Sequence, residues 1–168
     1  MKFHWQPLLA LYLLSCIAFA GQEKPTHEGA ADAGGLLKTH TFCLDSSQLT
    51  PHQSTDLQKV AAQAAKPKGL FTKLHWQPVD SCSSADAMVK LTMNEHERMA
   101  PAGDGSRLED KSAALTVETF SQAKMLITDR ASGRTLYQTQ GKEFTDDRQG
   151  AFANTFSKLL KDLKNLSK

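Results

Sequence analysis

The chain has 168 residues and a mass of 18.4 kDa, which suits one domain of ordinary size and leaves no room for two enzymatic ones. Hydrophobic residues make up 40% and charged residues 23%, values that exclude wholesale disorder and a multi-span membrane protein. The 20 basic and 18 acidic residues give a net charge of +2, and a surplus this small argues against a nucleic-acid partner.

Residues 1–20 have the architecture of a secretory signal peptide. Lys2 gives the start a positive charge, residues 8–17 form an apolar run, and Ala18-Phe19-Ala20 places small residues where a signal peptidase cuts. The run is shorter than the about 20 residues of a membrane-spanning helix, so we expect no transmembrane span in the mature chain. We predict cleavage between Ala20 and Gly21 and export to the periplasm or the medium.

A second way of processing the same segment stays open. Leu13-Leu14-Ser15-Cys16 resembles the lipobox of bacterial lipoproteins, in which the cysteine becomes the lipidated first residue. Leu14 is larger than the residue that such boxes usually carry at that position. Lipidation of Cys16 would anchor the protein to the outer membrane instead of releasing it.

Residues 21–35 are predicted to form a flexible linker. This stretch is rich in glycine, alanine and charge, and it has no apolar residue larger than alanine. It therefore buries too little surface to repay the entropy of ordering it. We place a single α/β domain in residues 36–168.

The first half of this domain is predicted to be strand, helix and strand. Residues 38–44 alternate in the manner of a strand. Thr50, Pro51 and Gln53 then form a helix start with a capping box, and Pro67 with Gly69 ends that helix. Residues 70–79 are predicted as the second strand.

The second half is predicted to be a meander that ends in a helix. Residues 87–93 form the third strand, 94–112 a long polar loop, and 113–128 a long strand with a bend near Ser121-Gln122. A turn at 129–133 leads to the last strand, 134–139. Residues 146–167 form an amphipathic helix with an apolar stripe of Phe152, Phe156, Leu159, Leu160, Leu163 and Leu166.

These elements predict an α+β fold. We expect a two-layer α/β sandwich with a mixed, mostly antiparallel sheet of about five strands and two helices on one face. The last helix would then cover the sheet. Its lysines also suit the surface of an anionic membrane, so that alternative stays open.

Several short motifs of this frame resemble known exported proteins. They are Gly69-Leu70-Phe71, Ser84-Ala85-Asp86-Ala87 and the hairpin from Asp129 to Tyr137. With the lysine-rich last helix, they resemble small exported bacterial proteins of unknown function, of the acidobacterial type. More remotely, they are similar to envelope lipoproteins with a domain like the amino-terminal domain of TolB. The resemblance implies an envelope protein with a binding or assembly role, and it transfers no catalytic residue.

The two cysteines that remain after cleavage, Cys43 and Cys82, are predicted to form a disulfide because export places them in an oxidising compartment. A thiol–imidazole pair of Cys43 and His75 is the alternative. His40 and Cys43 are assigned to opposite faces of one strand, and no pair of ligands has metal-binding spacing, so we expect no metal and no cofactor.

Glu95-His96-Glu97 is the remaining candidate for chemistry, since two acids beside a histidine can bind a cation or move a proton. The simpler interpretation is a solvated strand end that continues into the loop. That loop is the predicted interaction surface, and the residues we assign to the interaction are Glu95, His96, Glu97, Arg98, Asp104 and Arg107.

No catalytic residue is assigned. We therefore expect a non-catalytic, exported cell-envelope protein that binds a protein, a peptide or an envelope component. The alternative is a secreted or periplasmic hydrolase or thiol enzyme with an unrecognised site.

Overall fold

The computed structural model describes residues 28–101 and 115–168. The predicted cleavage site at Ala20 and Gly21 lies outside these residues, as do Cys16, Asp104 and Arg107. In chain order the elements are β1 (Gly29–Ala30), α1 (Ala33–Leu37), β2 (Thr41–Asp45), α2 (Pro51–Ala64), α3 (Leu70–Leu74), β3 (Gln77–Pro78), β4 (Ala87–Pro101), β5 (Leu115–Asp129), β6 (Thr135–Thr145) and α4 (Arg148–Leu166).

The described residues form an α+β fold around one mixed sheet of six strands, one more than expected. The strand order is β1-β6-β5-β4-β2-β3. β2 runs parallel to both β3 and β4, and the other neighbouring strands are antiparallel. The long helix α4 packs on β5 and β6 and contacts α2 and α3. Among the described residues, no helix has the length and apolar character needed to cross a bilayer.

The core lies between the sheet and the helices. Every second residue of the central strands points into the core, as the two-residue period of β4 predicts. The buried residues of this set are Val89 and Leu91 of β4, and Ala123, Met125 and Ile127 of β5. Aromatic rings join the layers. The ring centroid of Phe71 lies 4.8 Å from that of Phe42 and 5.3 Å from that of Phe156.

Both long helices begin where local sequence signals place them. Thr50 caps α2, and Gln53 completes the capping box, with Pro51 in the first turn. The carboxylate of Asp147 caps α4 by accepting the backbone N–H of Gly150 at 2.7 Å. One face of α4 packs into the core through Phe152, Phe156, Leu159 and Leu163. The prediction that this helix covers the sheet is confirmed.

The strand predicted over residues 70–79 is wrong. The structure has the short helix α3 here, followed by β3 and its two residues. Phe71 and Leu74 are both buried, and a three-residue spacing brings two side chains to one side of a helix but to opposite faces of a strand. His75 ends the helix in a left-handed conformation, at φ 56°.

The predicted linker overlaps the folded domain, because residues 28–35 are ordered. Gly29 and Ala30 pair with Gln138 and Tyr137 of β6, and the Asp32 side chain caps α1. Backbone pairing with an existing edge strand orders this segment without any large apolar side chain. The domain therefore includes Glu28 and does not begin at Leu36.

The predicted loop over residues 94–112 is wrong in its first part. Residues 94–101 continue β4 and pair in unbroken register with residues 115–122 of β5. The remainder of that loop lies outside the described residues.

The last strand, β6, is also longer than expected, because it continues to Thr145. The bend predicted near Ser121-Gln122 agrees with a register shift between β5 and β6 at Gln122 and Lys124.

Candidate functional site

Cys43 and Cys82 form the disulfide that the sequence predicts, with their Cα atoms 5.1 Å apart. Cys43 is buried in β2, and Cys82 lies in a short 3-10 turn before β4. His75, the partner in the alternative thiol–imidazole pair, is exposed at the end of α3. Since both sulfurs are bonded to each other, neither is a free nucleophile in this structure.

Asp86 holds the same edge of the sheet together. Its carboxylate accepts the backbone N–H groups of His40 and Thr41 at 3.0 and 2.8 Å, and its own N–H donates to the Thr41 hydroxyl at 2.9 Å. The backbone hydrogen bond from Thr41 contributes most to holding the pKa of Asp86 below its usual value. His40 therefore serves this junction through its backbone. Within residues 28–101 and 115–168, no three His, Cys, Asp or Glu side chains are placed to hold a metal ion.

The most distinctive feature of the surface is a two-stranded extension of the sheet. We call residues 95–101 of β4 together with residues 115–119 of β5 the arm. The pairing of β2 with β4 ends at Lys90, and the pairing of β6 with β5 extends only as far as Phe120. In the described part of the chain, the arm therefore continues past both of its neighbouring strands.

On the side of the sheet opposite the helices, two basic side chains of β4 lie between Glu143 of β6 and Phe120 of β5. The Arg98 guanidinium lies 3.0 Å from one carboxylate oxygen of Glu143, and His96 Nε2 lies 3.6 Å from the other. The His96 ring stacks on Phe120 with 5.8 Å between centroids, and Arg98 lies 4.9 Å from the centre of the same ring. This cluster fixes the base of the arm to β6.

The structure separates the three residues of the Glu95-His96-Glu97 motif. Successive side chains of a strand point to opposite faces, so the two glutamates lie on the helix side and His96 on the other. Glu95 meets Arg148, with 3.6 Å between the charged groups. The motif is thus not a convergent acid–base site in this structure.

Arg148 joins the arm to the helices. Its Nε donates to Asp56 of α2 at 2.9 Å, and Gln149 donates to the other oxygen of that carboxylate at 3.1 Å. The hydrogen bond from Arg148 is the main cause that lowers the pKa of Asp56 below its usual range. Sequence reasoning missed Arg148, Glu143 and Phe120. The alternation of acids with His96 and Arg98 was the one local sign that residues 94–98 form a strand.

Further along the helix side, the arm carries an exposed apolar pair. Met99 and Val117 lie directly opposite each other on β4 and β5 and are 74% and 58% exposed. They are the two most exposed of the large hydrophobic residues in the described chain. Such a pair contributes little to the core and leaves apolar surface open to another molecule.

A groove of about 1440 Å³ is lined by Glu28 and by residues of β4, β5, β6 and α4. Glu28 forms an ion pair with Lys158 there, and Tyr137 donates a hydrogen bond to Asp162 at 2.8 Å. The hydrogen bond from Lys158 lowers the pKa of Glu28, and burial raises the pKa of Tyr137. The other lysines of its lining are Lys90, Lys124, Lys142 and Lys161. The described lining contains neither histidine nor cysteine, so it offers no thiol or imidazole for catalysis.

No protein-family model matches the chain, and no curated protein matches it. Among solved structures, it is similar to the PelC dodecamer from Paraburkholderia phytofirmans, with 12% identity, a TM-score of 0.47, and coverage of 82% of this chain and 93% of that one. A single-substitution variant of the same dodecamer gives 13% identity and a TM-score of 0.46, over 82% of this chain and 95% of that one. At this level of similarity, neither structure supports an argument about function.

Proposed function

We propose that the protein is an exported, non-catalytic cell-envelope protein that binds a protein, a peptide or an envelope component through its arm. One observation carries this proposal: the arm continues past its neighbouring strands and exposes Met99 and Val117 at its surface. A two-stranded extension with exposed apolar side chains lowers solubility and contributes little to the core. Such a feature is typical of a surface that another molecule covers.

The proposed location rests on the sequence. The signal architecture of residues 1–20 motivates export, with cleavage at Ala20 and Gly21 or lipidation of Cys16 as the two routes. The disulfide between Cys43 and Cys82 is compatible with an oxidising compartment. The resemblance to exported bacterial proteins and to TolB-like domains stays a prediction and adds no residue to the site.

The alternative is a hydrolase or thiol enzyme. Its thiol form relied on Cys43 with His75, and the disulfide occupies that sulfur. Its acid–base form relied on Glu95, His96 and Glu97, which lie on two different faces of the arm. No contact in the described residues supports the thiol form or the acid–base form of the enzyme, so the binding role is the better supported proposal.

The test is capture of binding partners from intact envelopes with three tagged proteins: wild type, Met99→Glu and Leu37→Glu. Leu37 is the matched control, because it is an exposed hydrophobic residue of α1, at 47% exposure, away from the arm. We expect Met99→Glu to lose a partner that wild type and Leu37→Glu retain. Equal capture by all three proteins would contradict a role for the arm.

A further inference from the structure

Along the edge of β4 that faces β2, the unpaired part is much longer than the paired part. β2 covers β4 only as far as Lys90, so among the described residues β4 has no neighbouring strand on that side from Leu91 to Pro101. An uncovered edge of this length presents a row of backbone donors and acceptors to another strand.

The hydrogen bonds of the sheet show which residues of β4 point their backbone N–H and C=O groups to this edge. In β5, Thr119 accepts from the N–H of Asp146, and Asp129 donates to the backbone oxygen of Arg134, so odd-numbered residues of β5 bond on the side of β6. The even-numbered residues of β5 therefore bond on the side of β4, where they pair with even-numbered residues. Because backbone groups alternate in direction along a strand, even-numbered residues of β4 bond to β5. The N–H and C=O groups of Glu95, Glu97 and Met99 therefore point to the free edge.

We propose that this edge takes up an extended basic segment of a partner protein by strand addition, an inference that rests on the proposed binding role. Residues directly opposite each other in neighbouring strands share one face of the sheet. The helix side of the edge offers the carboxylate of Glu97, which has no ion pair among the described residues, followed by Met99. A strand that fits carries lysine or arginine opposite Glu97 and an apolar residue opposite Met99. Glu95 is already engaged by Arg148, so the position opposite it favours a neutral side chain.

A second copy of this chain brings like charges together when it pairs about the charged residues of this edge. Two identical antiparallel strands in one sheet are related by a two-fold axis perpendicular to it. If the axis passes through His96, Glu95 lies opposite Glu97 of the other copy. If it passes through Glu97 or Arg98, that residue lies opposite itself. Each of these registers pairs like charges, which is destabilising. These three registers of self-pairing are therefore disfavoured, and a basic strand is the occupant whose charge is complementary to Glu97.

The experiment titrates the ¹⁵N-labelled protein with a capped peptide, Thr-Val-Thr-Lys-Thr-Val-Thr, and with the same peptide carrying glutamate in place of lysine. For wild type we expect shifts of the amides from Leu91 to Met99, with the lysine peptide bound about two- to fivefold more tightly. Glu97→Lys should reverse this preference. No binding of either peptide, or a preference that Glu97→Lys leaves unchanged, would overturn the inference.

Two neutral variants at the same position separate strand addition from charge attraction. Glu97→Thr keeps the N–H that points to the edge, whereas Glu97→Pro removes it without removing a hydrogen bond to β5. We expect Glu97→Thr to bind a control peptide with threonine in place of lysine and Glu97→Pro to lose it. Equal binding by the two variants would refute strand addition.

Sedimentation of the free protein tests the competing occupant: a dimer that Glu97→Pro dissociates would show that a second copy covers the edge and would overturn the inference. Partner capture that depends on Met99 but is unchanged in Glu97→Pro would also overturn it, while leaving the binding role of the arm intact.

Discussion

Removing the disulfide should have a large and calculable effect on stability. The variant replaces both Cys43 and Cys82 by alanine. The bond closes a loop with a sequence separation of 39. In the chain-entropy treatment, opening a loop of this length costs about 4 kcal/mol at 25 °C, because the unfolded chain regains the conformations that the bond excludes. The expected loss is large beside the 5–15 kcal/mol typical of whole domains, but the core should still form.

Urea unfolding under oxidising conditions measures this cost. If the free energy of unfolding falls by about 2 kcal/mol per molar urea, the urea concentration at the midpoint of unfolding should fall by roughly 2 M. Reduced wild type is the matched control, since it keeps both sulfur atoms and lacks only the bond. It should unfold close to the double variant. The reasoning is refuted if the double variant lies within 1 kcal/mol of oxidised wild type, or if thiol titration of unfolded, unreduced protein finds two free thiols.

Three further predictions concern the core, the acid response and the processed form. Phe156→Ala should lower the free energy of unfolding by about 3–5 kcal/mol because the ring is 2% exposed, whereas Leu166→Ala, at 39% exposure, should cost far less; urea unfolding compares them. The pKa of Asp56 is lower in the folded than in the unfolded protein, so the ionised carboxylate stabilises the fold. This stabilisation is complete above the unfolded-state pKa of about 4 and is lost as the pH falls through the folded-state pKa. Unfolding at pH 7 and pH 3 should therefore show that Asp56→Asn is less stable than wild type at pH 7 and loses less on acidification; equal acid losses would contradict this. Intact-mass measurement of the exported protein should give a chain that starts at Gly21, and an added diacylglyceryl mass on Cys16 would show lipidation instead.

The features that could be predicted from sequence are those whose cause is local. The capping box of Thr50 and Gln53 lies within one helical turn, so it sets the start of α2 whatever surrounds it. The stripe through Phe152 and Phe156 needs only a helical period. The disulfide followed from there being two cysteines outside the predicted signal segment. These signals were enough for the α+β class and for the position of the last helix.

The features that were mispredicted depend on partners distant in the chain. Residues 94–101 are polar and read as a loop, yet they form a strand because β5 supplies their hydrogen bonds. β1 forms on the edge of β6 with no apolar pattern of its own. The short segment 70–74 has no decisive helical pattern of its own, but Phe71 packs between Phe42 and Phe156. Only a helical turn also buries Leu74.

The candidate site divides in the same way. The sequence by itself singled out Glu95, His96, Glu97 and Arg98 as charged residues of an interaction surface. Only the tertiary structure decided which of them meet, because strand alternation sends the glutamates to one face and the register of β5 and β6 brings Phe120 and Glu143 to the other. The free edge of β4 exists because β2 ends at Asp45, and where one strand stops beside another is set by packing across the sheet rather than by either sequence alone.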